Sequence, residues 1–194
     1  MHQLLRDHIE SKINQRLTED EYALIVRYWT PIEIDKKKIL VSAESYCREN
    51  YFIVEGLLHL YKIDEECEPH TIQFGFKNHW ISDLYGFLSG NPAVFSIEAL
   101  ENSRLLSITK ENFDKVCDEI PKFERFFRLL LQNAYIHSLQ RIAKVNSQDA
   151  EQRYLSLLEN QPDILQRVPQ YLVASYLGIK PQSLSRIRQN LLSK

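Results

Sequence analysis

Residues 51–76 read YFIVEGLLHLYKIDEECEPHTIQFGF. Three runs rich in β-branched and aromatic residues (YFIVEG, LLHLYKI and HTIQFGF) are separated by Glu55-Gly56 and by the polar stretch from Asp64 to Pro69, both turn signals. Each run is too short for a helix and of ordinary length for a strand. The same rhythm continues outward. IEI and KKILV precede these runs, HWI, FSIEAL and RLLSI follow them, and Gly90-Asn91-Pro92 adds another break. Eight short strands between about Ile32 and Ile108 predict a β-roll, jelly roll or barrel.

Helical signals flank this region. Thr18-Glu19-Asp20-Glu21 offers an N-cap hydroxyl and an N3 carboxylate before the apolar run Tyr22, Leu24, Ile25, Val26, Tyr28 and Trp29, and Pro31 ends that helix. Downstream, Thr109 caps KENFDKVCDEI. Pro121 then opens PKFERFFRLLLQNAYIHSLQRIAKV, about 25 residues or roughly 37 Å of helix. Its apolar residues occupy more than one stripe, so one side is expected to cover the β domain and another to meet a second subunit, with a parallel dimer seam through Phe126, Leu130, Asn133 and His137. After Asn146-Ser147-Gln148-Asp149, a further helix, AEQRYLSLLENQ, ends at Pro162. The expected organisation is a β-roll effector-type domain over 1–119, a dimerisation helix over 120–145 and a C-terminal domain over 146–194, in an α+β chain.

Composition narrows the class. The chain has 194 residues, 44% hydrophobic and 26% charged, with 5 Gly and 7 Pro, which excludes disorder, collagen and low complexity. No apolar run reaches the roughly 20 residues that cross a bilayer, and MHQLLRDHIESK does not read as a signal-peptide core, so a cytoplasmic location with no membrane partner is expected. Cys47, Cys67 and Cys117 are isolated and odd in number, and no two of the six histidines stand at i, i+4, so neither disulfides nor a metal site is expected. Gly-rich phosphate loops, a G-x-S-x-G elbow and an H-E-x-x-H run are missing; the pattern points away from an enzyme and to no cofactor.

The net charge of −2 conceals an asymmetry. Five of the 24 bases and none of the 26 acids lie between Ile164 and Lys194, so this stretch is +5 and the remainder, 19 bases against 26 acids, is −7. A small basic end on an acidic body is the footprint expected of a nucleic-acid partner, because phosphate neutralisation supplies most nonspecific affinity.

Within that end, QYLVASYLGIKPQSLSRIRQ (170–189) carries a helix-turn-helix pattern. Counting Gln170 as the first position, Ala174 is fifth and Gly178 ninth, while Val173, Leu177, Ile179, Leu184 and Ile187 are fourth, eighth, tenth, fifteenth and eighteenth. A small residue at 174 lets two helices cross closely, Gly178 accepts the positive φ of a tight turn, and the five apolar residues form the wedge. Facing outward on the second helix are Gln182, Ser183, Ser185, Arg186 and Gln189. Gln182, Arg186 and Gln189 form one i, i+4, i+7 stripe suited to base edges, whereas Lys180, Ser183 and Arg188 flank it and suit phosphates.

A β-roll, a long dimer helix and a C-terminal helix-turn-helix containing LGIKPQSLSRIR together resemble the Crp/Fnr family of bacterial transcription regulators, over nearly the whole chain. The resemblance implies a homodimer with a β-roll like a cyclic-nucleotide-binding domain and two recognition helices in successive major grooves of double-stranded DNA, with Gln182 and Arg186 at base-reading positions and Lys180 and Ser183 at phosphates. Members that bind cyclic AMP carry Gly-Glu-Leu for the ribose and Arg-Ser for the cyclic phosphate. The matching stretch here, WISDLYGFLSGNPAVFSIEAL, has Ser82-Asp83-Leu84 and then Ala93-Val94. Asp83 is left to accept a sugar hydroxyl, but no cation stands where the phosphate would be. The effector pocket is therefore expected at Asp83, Leu84, Ala93 and Val94, without control by ordinary cyclic AMP and open to another small-molecule effector. Three scattered cysteines exclude a four-cysteine iron–sulfur cluster, and His59, His70 and His79 read as packed histidines rather than haem ligands. The expected function is a sequence-specific regulator; the alternative is a ligand-binding or protein-interaction β-roll with a degenerate helix-turn-helix.

Overall fold

A computed structural model describes residues 1–192. Lys194, counted in the basic stretch, lies outside the described residues. The chain divides into two compact units, Met1–Lys62 with Gln73–Asn133, and Ile63–Ile72 with Ala134–Lys194.

The first unit opens with α1 (His2–Ile13) and α2 (Glu19–Tyr28). Leu5, Ile9 and Ile13 recur every four residues on α1 and are buried. α2 starts in the expected capping box: the Glu21 N–H donates to the Thr18 hydroxyl at 3.2 Å, and the Thr18 N–H donates to the Glu21 carboxylate at 2.7 Å. Eight strands follow, β1 (Thr30–Ile34), β2 (Ile39–Val41), β3 (Glu49–Glu55), β4 (Leu58–Ile63), β5 (Pro69–Gly75), β6 (Trp80–Ile81), β7 (Ser96–Ala99) and β8 (Ser103–Thr109), with α3 (Leu84–Ser89) between β6 and β7. They form two four-stranded sheets, ordered β1-β8-β3-β6 and β2-β7-β4-β5, the β-roll type of arrangement that the eight sequence runs predict. Antiparallel register sets the faces: Leu58 opposes Ala99 and Leu60 opposes Ile97, all buried, while His59 opposes Glu98 on the other side.

α4 (Lys110–Glu119) begins at the Thr109 cap and α5 (Pro121–Ser147) at Pro121, as the sequence predicts. The first turns of α5 are consumed by an aromatic core. Phe123 and Phe126 are fully buried, and Phe126 packs edge-on to His8 at 5.6 Å and against Trp80 at 5.6 Å. Phe113 meets Phe127 edge to face at 4.6 Å, and Trp29 meets Trp80 at 5.1 Å.

Gly56, between β3 and β4, has φ +105°, and a Cβ there would sit 2.7 Å from the Ser103 Cα. Gly56→Ala is expected to cost about 2–3 kcal/mol, from backbone strain plus the displaced Ser103. A lower urea midpoint with unchanged slope is the confirming measurement.

In the second unit, α6 (Ala150–Asn160) starts at an Asp149–Gln152 capping box, α7 (Ile164–Arg167) is a single turn, and α8 (Gln170–Leu177) and α9 (Pro181–Leu192) meet at Gly178. Tyr154, Leu157, Ile164, Val168, Leu172, Val173, Leu177, Leu184 and Ile187 make its core. The unit also contains the outer end of the β4–β5 hairpin.

Candidate functional site

The α8 and α9 helices meet at Gly178. Gly178 adopts φ 68°, and the Ile179 N–H donates to the Ala174 carbonyl at 3.0 Å, closing α8 with a left-handed cap. A Cβ at 178 would touch nothing within 4 Å, so the demand there is on the dihedral and not on space. Val173, Ala174, Leu177, Leu184 and Ile187 are buried, whereas Ile179 is half-buried. Pro181 takes the first helical position of α9, where its missing N–H costs nothing. Burial of Leu184 and Ile187 turns the opposite face outward. Gln182, Ser185, Arg186 and Gln189 are exposed, Lys180 is exposed at the approach to the helix, and Ser183 and Arg188 are half-buried at its flanks.

Sequence reasoning missed what holds α8 within its unit. Ser175 donates its hydroxyl proton to the Pro69 carbonyl at 2.7 Å and accepts the Thr71 N–H at 2.9 Å. The Arg141 guanidinium donates to the Ile72 and Tyr176 carbonyls and lies 4.3 Å from the centre of the Tyr176 ring. No local pattern signals these contacts, because their partners are 35 to 106 residues apart.

The seam residues expected on α5 are placed differently. Phe126 is 0% exposed in the aromatic core of its own unit, so it does not belong to an intermolecular seam. Leu130 is half-buried, and Asn133 and His137 are exposed. The exposed apolar stripe runs instead through Tyr135, Leu139 and Ile142, at i, i+4 and i+7 and 67%, 48% and 58% exposed, with Ile136 and Val145 beside it. At 100° per residue this stripe lies on the face roughly opposite Leu130, Asn133 and His137.

The expected effector residues come together around α3. Asp83 is its N-cap and is 0% exposed. Its Oδ1 accepts the Gly86 N–H at 2.6 Å, and its Oδ2 accepts the N–H groups of Val94 and Phe95, each at 2.8 Å. Ala93 is buried, its N–H donating to the Ser45 carbonyl at 2.7 Å, while the Leu84 and Val94 side chains are exposed. Asp83 is thus no open sugar-hydroxyl acceptor, contrary to the sequence expectation: burial and its three backbone partners commit it to the chain. A surface cavity of about 640 Å³ beside α3 is lined by Tyr46, Cys47, Arg48, Phe87, Leu88 and Lys110 among others, and not by Asp83, Ala93 or Val94.

This roll of two sheets with a short helix between β6 and β7 has a known counterpart. Residues 31–119 match the cyclic nucleotide-binding domain. Over most of its length the chain also aligns with several solved structures. The c-di-GMP responsive global regulator CLP of Xanthomonas campestris aligns with a TM-score of 0.75 at 9% identity, covering 91% of this chain and 92% of that one. FixK2 from Bradyrhizobium japonicum aligns at 0.72 and 14%, covering 85% of each chain. The Thermus thermophilus catabolite activator protein aligns at 0.60 and 15%, covering 94% and 87%. No curated protein sequence matches the chain significantly. Residues 31–119 thus have the fold of a cyclic nucleotide-binding domain, and no described helix is long and apolar enough to cross a membrane.

Proposed function

We propose that this chain is a homodimeric, sequence-specific DNA-binding transcriptional regulator of the Crp/Fnr type that cyclic AMP does not control. The observation that carries the reading is the outward stripe of Gln182, Arg186 and Gln189 on α9, backed by the buried Leu184 and Ile187 and set at a left-handed glycine turn. Glutamine pairs bidentately with adenine and arginine with guanine, so α9 has the chemistry to read major-groove edges, while Lys180, Ser183 and Arg188 take phosphates. The stretch from Ile164 onward contains no acid to repel the backbone.

Independence from cyclic AMP is supported by the α3 region. A cyclic nucleotide brings a phosphate anion that needs a cation or free N–H donors, and here Ala93 and Val94 supply no charge while the nearby N–H groups already serve Asp83.

The test is selection from a random duplex pool by purified protein without added ligand, followed by anisotropy at two salt concentrations. A two-fold symmetric site with half-sites about one helical turn apart is expected. Sequence-blind, salt-steep binding alone would overturn the reading. On the selected site, Arg186→Ala is expected to lose about 1–3 kcal/mol and to relax one base position; Lys180→Ala weakens all sequences alike.

A further inference from the structure

We propose that Asp83 is the resident anion of the β-roll: its carboxylate occupies the backbone donors that a ligand's phosphate or carboxylate would require, so the roll is complete without a small molecule. Applied to control, this rests on the regulator reading and makes DNA binding ligand-independent.

The geometry is that of an anion held by main chain. Two consecutive N–H groups, of Val94 and Phe95, converge on one oxygen at 2.8 Å, and the Gly86 N–H reaches the other at 2.6 Å. None of the salt bridges among the described residues involves Asp83. A fully buried carboxylate is costly unless hydrogen bonds replace its water, and the amides turned toward it, that of Gly86 buried and those of Val94 and Phe95 partly buried, are less favourable without an acceptor. Each group answers the other's requirement.

The surroundings leave the position to Asp83 alone. A Cβ on Gly86 would sit 3.0 Å from Asp83 Oδ1, 3.1 Å from the Asn91 carbonyl oxygen and 3.3 Å from the Ala93 Cα, so α3 lies directly on the 91–93 segment. Ala93 is tied on both sides, its N–H to the Ser45 carbonyl at 2.7 Å and its carbonyl to the Glu44 N–H at 2.8 Å. An entering anion would have to displace a carboxylate that the chain itself keeps at high effective concentration.

Two measurements on the full-length chain decide the matter. In the first, Asp83→Ala removes the carboxylate and leaves the three amides facing a small cavity. The melting temperature is expected to fall by about 10 °C in chloride and to recover by at least half in formate or inorganic phosphate at equal ionic strength. A variant that melts with the wild type, or that formate and phosphate raise no further above its chloride value than they raise the wild type, overturns the proposal. In the second, the wild-type amide resonances of Gly86, Val94 and Phe95 are followed while cyclic AMP or inorganic phosphate is added to millimolar concentration. They are expected to stay fixed, and saturable movement overturns the proposal even if Asp83→Ala does not fold. Duplex selection reports the regulator reading separately: silent amides without sequence-specific DNA binding would remove that reading and leave the resident anion standing.

Discussion

Lowering the pH from 7 toward 4 is expected to destabilise the first unit by about 5 kcal/mol, most of it lost above pH 4.5. The cause is two histidines folded into apolar surroundings. His59 is 3% exposed, both ring nitrogens lack hydrogen bonds, and the ring stacks on Tyr61 at 4.6 Å; the Glu98 carboxylate, 3.6 Å away, is too far to bond it. Burial pushes the His59 pKa down to about 4. His8 lies between the Phe52 and Phe126 rings, and burial, with smaller contributions from Lys12 and His79, lowers it also to about 4. His79 is displaced the same way by burial, against the opposing bond to the Phe74 backbone. For His59 and His8 the folded state binds fewer protons than the unfolded state between pH 6.5 and 4, so their contribution to stability is full above about 6.5 and falls as pH descends through that window. The gap corresponds to about 3 kcal/mol for His59 and, discounted for its remaining contact with solvent, about 2 kcal/mol for His8. Carboxylates such as Glu10, held down by its bond to Arg6, contribute only as pH drops through their own lower range. Urea midpoints at several pH values should therefore slope steeply between 6.5 and 4.5 in the wild type and flatten in His8→Phe/His59→Phe. An unchanged slope in that double variant would refute the assignment.

What the sequence makes legible, and what it hides, follows from the range of the interactions. The strands are visible because each is an uninterrupted β-branched and aromatic run between turn residues, and the helix starts at Thr18 and Thr109 because a cap is a contact across three residues. The Gly178 turn is equally local. By contrast, α3 spans six residues, too few for a periodic pattern, and the meaning of Asp83 depends on amides eleven and twelve positions later. α5 shows a further limit. A helix apolar on several faces announces that it has several neighbours without saying which face each neighbour takes. The wedge of Trp29, Trp80 and Phe113 against its first turns decides that Phe126 faces inward, and those rings are brought there by three separate elements. The union of the hairpin end with the Ala134–Lys194 segment rests on Ser175 and Arg141, whose partners no local reading could supply.

Leu139→Asp/Ile142→Asp is expected to convert the protein to a monomer and to lower its affinity for a two-fold symmetric duplex by about a thousandfold. Tyr135, Leu139 and Ile142 form a continuous exposed apolar stripe on α5, with the 3- and 4-residue spacing that lets two helices interlock side by side. A stripe of this kind on one side of a helix marks a partner surface. In the proposed dimer, two carboxylates in the middle of such a seam would face their copies across a two-fold axis and set like charges together in an apolar environment, where neither has a counter-ion. The loss at DNA follows from connectivity. In a dimer, the second α9 meets its half-site at an effective concentration on the order of millimolar, whereas a monomer must bring it from bulk solution. Asn133→Asp and His137→Asp, on the face that the sequence alone had favoured, should leave both assembly and DNA binding near wild type. Sedimentation velocity and anisotropy on the same samples separate the two registers. Dissociation by the 133 and 137 changes, with the 139 and 142 changes harmless, would return the seam to the original face. Dimers in both variants would move the association surface off α5 altogether.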